Sequence, residues 1–129
     1  MRALVDTHVL LWWIGTSQGR LSRQQIEFLE DPDNELLWSV VSTVEIGALV
    51  VRGTIALDRP VGDWCDHWIR RLGMRSVSVE QAHAVRSADL APIHGDPLDR
   101  LLVAQALAQE AAIVTRDRRI ARYPVRVVG

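Results

Sequence analysis

The chain has 129 residues, 48% of them apolar and 24% charged, with a formal net charge of −1. That is enough length for one buried core and too little for two ordinary domains, in the balance of a folded chain rather than a disordered one. All fifteen basic residues are arginines, which excludes Schiff-base and lysine–phosphate chemistry, and the near-neutral total gives no overall attraction to nucleic acid or an anionic membrane.

Cys65 is the single cysteine, so an internal disulfide is excluded and a cysteine zinc site is not expected. The start MRALVD lacks the apolar stretch of a signal peptide, and no run approaches the roughly 18 apolar residues of a membrane span. A cytoplasmic protein without membrane contact is the expectation.

In chain order, the first strand is expected at residues 2–6 (RALVD), with Asp6 placed to cap a helix beginning THVLLWW. LSRQQIEFLED follows, with Ser22 and Gln25 at capping-box spacing and Pro32 ending the helix. A second strand at 36–41 (LLWSVV) precedes SVVSTVEIG, in which Ser42 and Glu45 also have capping-box spacing. DRPVGDWCDHWIRRLG reads as a helix capped by Asp58 and stopped at Gly73. A strand at 76–79, a short helix in VEQAHAVRSADLAP, the strong helix DPLDRLLVAQALAQEA and strands at 111–115 and 125–128 complete the chain. The alternation predicts an α/β fold, one domain over residues 1–129, with a central, mostly parallel sheet of about four to five strands flanked by helices.

Four acids share one topological address. Asp6 ends the first strand, Glu45 follows the second, Asp99 opens the strong helix and Asp117 follows the fourth strand. In a parallel sheet the carboxyl ends of all strands lie along one edge, where helices begin and ligands bind. Singly, each acid also reads as a cap or a first-turn helix acid, and Asp96 before Pro97 most of all. Together they are different, because two like charges 4 Å apart repel by about 4 kcal/mol at an effective dielectric near 20. Capping gains of about 1 kcal/mol each do not offset several such pairs. Converging acids must therefore hold protons or a cation, and an oxygen-only set suits magnesium or manganese.

Around these acids, Thr7 and Thr115 are placed to hold a carboxylate or cap a helix. His8 reads as packed or structural, and the dispersed His8, His67, His83 and His94 make no zinc motif. Arg100 stands beside Asp99 and is expected to pair with it or to meet phosphate. Arg116, Arg118, Arg119, Arg122 and Arg126 form a local basic stretch around Asp117, suited to RNA phosphates or to a solvated helix face. Of the five tryptophans, Trp38 is expected in the core. Trp12 and Trp13 are adjacent and not both expected to face inward; some core packing is the default, and an exposed aromatic there would suit a partner-protein or dimer interface better than base stacking.

The stretches LVDTHVLLWW, SVVSTVEIG, HGDPLDRLLVAQAL and IVTRD, taken in this order across nearly the whole chain, resemble the PIN-domain family and within it the VapC-like ribonuclease toxins of bacterial toxin–antitoxin pairs. The resemblance implies an endoribonuclease dependent on Mg2+ or Mn2+, with a catalytic and metal-binding tetrad of Asp6, Glu45, Asp99 and Asp117. It implies RNA as substrate, a small antitoxin as partner and a homodimer. Asp99 is preferred to Asp96 because it keeps the expected distance to the TRD aspartate, leaving Asp96 as a cap that reaches the metal through water. Val44, where tryptophan is frequent, and the lysine-free IGALVVRG depart from the pattern outside the tetrad. The competing reading is a catalytically silent PIN-like module that binds RNA or protein, whose mark is a missing acid.

Overall fold

The computed structural model describes residues 1–15 and 17–129. Strands β1 (Arg2–Val5), β2 (Glu35–Ser39), β3 (Arg75–Val77), β4 (Ala112–Val114) and β5 (Val127–Val128) form one sheet in the order β3-β2-β1-β4-β5, every pairing parallel. Helices α1 (Thr7–Ile14), α2 (Arg23–Glu30), α3 (Val40–Val51), α4 (Val61–Arg71), α5 (Gln81–Asp89) and α6 (Pro97–Ala108) connect or flank them.

Successive strand residues point to opposite faces, and here both faces are covered, which is why the strands read as continuous apolar runs. Ala3, Val5, Leu36, Trp38, Ala112 and Val114 belong to one core, closed by Val9 and Leu10 of α1, Leu29 of α2, Ile46 of α3 and Trp64 and Cys65 of α4. Leu4, Leu37 and Ile113 face the other, closed by Leu102, Val103 and Ala106 of α6 with Ile120 and Tyr123. The chain leaves central β1 toward β2 and later returns to β4 on the opposite side. The order therefore reverses between β1 and β4, and the crevice beyond their carboxyl ends is where such sheets bind ligands.

Two local expectations need correction. The run LLWSVV divides at Ser39: its hydroxyl accepts the Val41 amide at 3.0 Å, so Val40 and Val41 belong to α3 and Ser42 lies inside the helix instead of capping it. Asp58 pairs with Arg59 at 3.0 Å, and α4 starts after Pro60 without a side-chain cap. Trp38 is fully enclosed and Trp64 buried, and Trp12, Trp13 and Trp68 are all partly buried against the first core, in line with the expectation of core packing. The Ser22–Gln25 capping box forms as expected, and Gly73 adopts φ +64 just past α4, the left-handed turn that favours glycine.

Candidate metal and RNA site

Asp6, Asp99 and Asp117 line one cleft at the β1/β4 crevice, and Glu45 lies in the groove that adjoins it. Asp6 takes over where β1 ends: its amide donates to the Val114 carbonyl at 3.0 Å, continuing the parallel ladder by one bond while its backbone opens α1. The side chain caps nothing. Asp6 Oδ2 instead accepts the Thr115 hydroxyl at 2.7 Å, and the same Thr115 oxygen accepts the Asp117 amide at 3.0 Å. Thr115 thus ties the end of β1 to the loop after β4. Gln25 of α2 fixes that loop from behind, its amide group donating to the Thr115 and Val128 carbonyls at 2.9 and 3.0 Å.

Thr7 does the same for Glu45. Its hydroxyl donates to Glu45 Oε1 at 2.7 Å and lies 2.8 Å from Ser42 Oγ. A hydroxyl has one proton, so Ser42 donates to Thr7 and Thr7 to Glu45. Ser42 and Glu45 are three apart on one face of α3, and the apparent capping box in the sequence is a relay that aims a carboxylate at the crevice.

Asp99, in the first turn of α6, and Asp117 come together through His94. His94 Nε2 lies 2.8 Å from Asp117 Oδ2 and 3.2 Å from Asp99 Oδ2, and ligand atoms of these three residues all fall within 4.8 Å of one another. Asp117 Oδ1 accepts the Arg119 amide at 2.8 Å. Asp96 caps α6 through the Leu98 amide at 2.8 Å, and its exposed carboxylate borders the cleft. The cleft holds about 530 Å3 and is lined by Asp6, Asp99 and Asp117, with His8 and Trp12 on one wall and Arg116 and Arg119 on another. Glu45 lies in the adjoining groove, which shares His8 and Asp96 with it.

Proximity of like charges shows in the titration of these groups. Burial, then the charges of Asp6, Asp96 and Glu45, push the Asp99 carboxyl up to about 7. Burial also holds Asp6 above its ordinary value against the Thr115 hydrogen bond. Glu45 is raised by burial with the charges of Asp6 and Asp96, against the Thr7 bond. Asp117 goes the other way: burial pushes it up, but hydrogen bonds from His94 and the Arg119 amide outweigh that and lower it. Three raised carboxyls in and beside one crevice would each be favoured in the charged form by a nearby cation, and carboxylate oxygens suit a hard ion such as Mg2+ or Mn2+.

Three other expectations fare differently. Arg100 neither pairs with Asp99 nor faces the cleft: its guanidinium donates to the Ser87, Leu90 and Ala91 carbonyls at 2.7, 2.9 and 2.9 Å and to Tyr123 Oη at 3.2 Å. A planar fork with five donors is used more completely by the carbonyls at the end of α5 than by a single carboxylate. Arg118 lies over a separate depression with Arg116 and Ala121, while Arg116 and Arg119 line the cleft. His8 is exposed on the cleft wall rather than packed, its ring 5.9 Å from that of Trp12. His94 is the residue that sequence reasoning undervalued. The available signal was HGDP, which puts an imidazole two residues before a helix cap and so next to a helix amino terminus.

A reversing parallel sheet with carboxylates gathered at its switch point puts acidic side chains where such sheets bind their ligands. The PIN domain family model matches residues 3–126, and the chain belongs to that family. Among curated proteins it is similar to Ribonuclease VapC22 of Mycobacterium tuberculosis, 33% identical over 118 residues that cover 91% of this chain and 88% of the relative. Among solved structures it resembles a chain of VapBC2 from Rickettsia felis bound to a DNA fragment from their promoter, with TM-score 0.70, 15% identity and coverage of 98% of this chain and 97% of that one. A toxin–antitoxin complex from Klebsiella pneumoniae gives TM-score 0.61 at 18% identity, covering 98% and 96%. No described helix is long and apolar enough to cross a membrane.

Proposed function

We propose that this protein is an endoribonuclease toxin that hydrolyses RNA phosphodiester bonds at the crevice acids with a bound Mg2+ or Mn2+, in the cytoplasm. The observation that carries it is the Asp6–Glu45–Asp99–Asp117 convergence, with Asp99 raised to about 7 by burial and by its acidic neighbours. A 33% identical ribonuclease covering most of the chain points the same way.

Asp6 and Asp99 are the principal ligands in this reading, with Glu45 and Asp117 completing the set directly or through water, and Asp96 at its edge. A bound divalent ion would neutralise phosphate charge and lower the pKa of an attacking water. The chain's own groups do the rest. Thr115 holds Asp6 and Thr7 holds Glu45 at fixed oxygens, which fixes where the ion and the scissile phosphate sit. The carboxylate left free of the ion orients the water and takes its proton. Arg116 and Arg119, exposed on the cleft wall, hold flanking phosphates as forked donors.

A protein antitoxin as partner is supported by the toxin–antitoxin complex among the structural neighbours, and a homodimer belongs to the same reading, checked by light scattering. The deciding experiment is purification free of partner, removal of metal, and incubation with total RNA with and without Mg2+ or Mn2+, followed by mapping of cut sites. Metal-dependent cleavage lost in folded Asp6→Ala supports the proposal. No cleavage by the folded, metal-supplied wild type refutes it in favour of a silent binding module.

A further inference from the structure

The cation-site reading leaves His94 without a role, although its side chain is only 4% exposed at the centre of the crevice. Its two ring nitrogens face opposite chemistry. Nδ1 receives the Asp96 amide N–H at 3.1 Å. An amide nitrogen only donates, so Nδ1 presents a lone pair and the ring proton of the neutral imidazole sits on Nε2. Nε2–H then points between Asp117 Oδ2 at 2.8 Å and Asp99 Oδ2 at 3.2 Å, the arrangement of one donor shared by two acceptors. A nitrogen protonated in this way has no lone pair for a cation. Ligation through Nε2 would require losing the last ring proton, moving it to Nδ1 against the Asp96 N–H, or a ring flip that abandons both the Asp96 amide and the two carboxylates.

The loop around His94 is built to keep that orientation. The His94 amide donates to Tyr123 Oη at 2.9 Å, and Tyr123 donates onward to the Ala91 carbonyl at 2.9 Å. Arg100 reaches the same hydroxyl at 3.2 Å and binds the carbonyls of Ser87, Leu90 and Ala91. The imidazole is held from its amide, from Nδ1 and from Nε2 together.

We infer that His94 is a positioning residue and not a metal ligand: its Nε2–H clamps one oxygen each of Asp99 and Asp117, fixing the distance between the first turn of α6 and the loop after β4. The two acids come from different elements, and the clamp makes them a single preformed unit for the cation. The inference rests on the proposed cation site, and its test is read in metal binding and in the ring itself as well as in RNA cleavage.

Long-range proton–nitrogen NMR of protein labelled at histidine nitrogens is the first measurement. His94 is expected in the Nε2–H form without metal and to remain so when saturated with Mg2+. Calorimetry with Mn2+ is the second. His94→Ala is expected to weaken binding by about 10- to 100-fold. His94→Gln, whose side-chain amide places an N–H near the position of Nε2, is expected to restore most of that loss, with melting curves reporting the fold of both variants. Loss of the Nε2 proton on adding Mg2+, or a folded glutamine variant as impaired as the alanine one, overturns the inference. Absence of Mn2+ binding by the wild type overturns it together with the cation site. Mn2+ binding without RNA cleavage refutes the nuclease reading alone and leaves the His94 comparison readable.

Discussion

Asp99→Asn is expected to make the metal-free protein more stable and inactive at once. The Asp99 carboxyl titrates near 7 in the folded chain, against 3.8 for the free side chain, because of burial and then of Asp6, Asp96 and Glu45. Each tenfold change in proton affinity corresponds to about 1.36 kcal/mol, so an ionised Asp99 opposes folding by up to about 4 kcal/mol, of which relaxation and screening leave on the order of 2. The folded pKa is raised, so the wild type has its full stability below about pH 4 and loses it progressively as pH rises through about 7. Asparagine keeps the shape and an acceptor for His94 without the charge. The gain from the substitution should therefore be largest at pH 8, less than half as large at pH 5 and absent near pH 4. Denaturant unfolding with chelator present, at those three pH values, measures it. A variant equal to or weaker than wild type at pH 8, or a gain independent of pH, would refute the picture of uncompensated carboxylates in the crevice.

Mn2+ affinity should rise about tenfold per pH unit up to roughly pH 7 and flatten above, because Asp99 must release its proton to bind; calorimetry at pH 6 in buffers of different ionisation enthalpy should find close to one proton released. Thr7→Val leaves Ser42 without its buried partner and Glu45 without its donor, which should cost about 1–3 kcal/mol in a thermal melt and lower metal affinity or cleavage by about 10- to 100-fold. Arg100→Ala should lower the melting midpoint and leave the salt dependence of RNA binding unchanged. Arg116→Ala should do the reverse, staying within about 0.5 kcal/mol in stability while the slope of log K against log salt falls by about 0.7 for single-stranded RNA.

The sheet and the address of the acids were legible in the sequence because both follow from local rules. Strand and helix periods alternate, and a parallel sheet puts every strand's carboxyl end on one edge. Positions set by tertiary hydrogen bonds were not legible. LLWSVV carries one uninterrupted apolar pattern, and only the Ser39 hydroxyl, held in place by Gln105 of α6, decides where strand yields to helix. Ser42 and Glu45 have the spacing of a capping box, and nothing local distinguishes that from a hydroxyl relay through Thr7 in another helix. Arg100 beside Asp99 suggests a pair in one dimension. On a helix, neighbours point about 100° apart, and the guanidinium finds α5 instead. The sequence points to His94 only by its closeness to Asp96, since its side-chain partners lie 5 and 23 positions away and its backbone is held by Tyr123.

The two acids that His94 joins are shifted in opposite directions, and this sets how the crevice handles charge. Asp117, partly exposed and given hydrogen bonds by His94 and the Arg119 amide, stays ionised throughout the neutral range. Asp99, deeper and facing three other carboxylates, is close to half-protonated there. The metal-free crevice is thus a negative site that carries less than its full charge at neutral pH. Thr115 and Thr7 satisfy Asp6 and Glu45 with neutral hydroxyls, which orient the oxygens without cancelling their charge. A protein arginine at any of these positions would stabilise the metal-free state and compete with the ion. The arginines of the cleft, Arg116 and Arg119, are exposed and make no ion pair with these acids among the described residues. A net charge of −1 conceals this division: carboxylates that attract a cation and exposed arginines that attract an anion line the same cleft, which is the polarity that the proposed function requires.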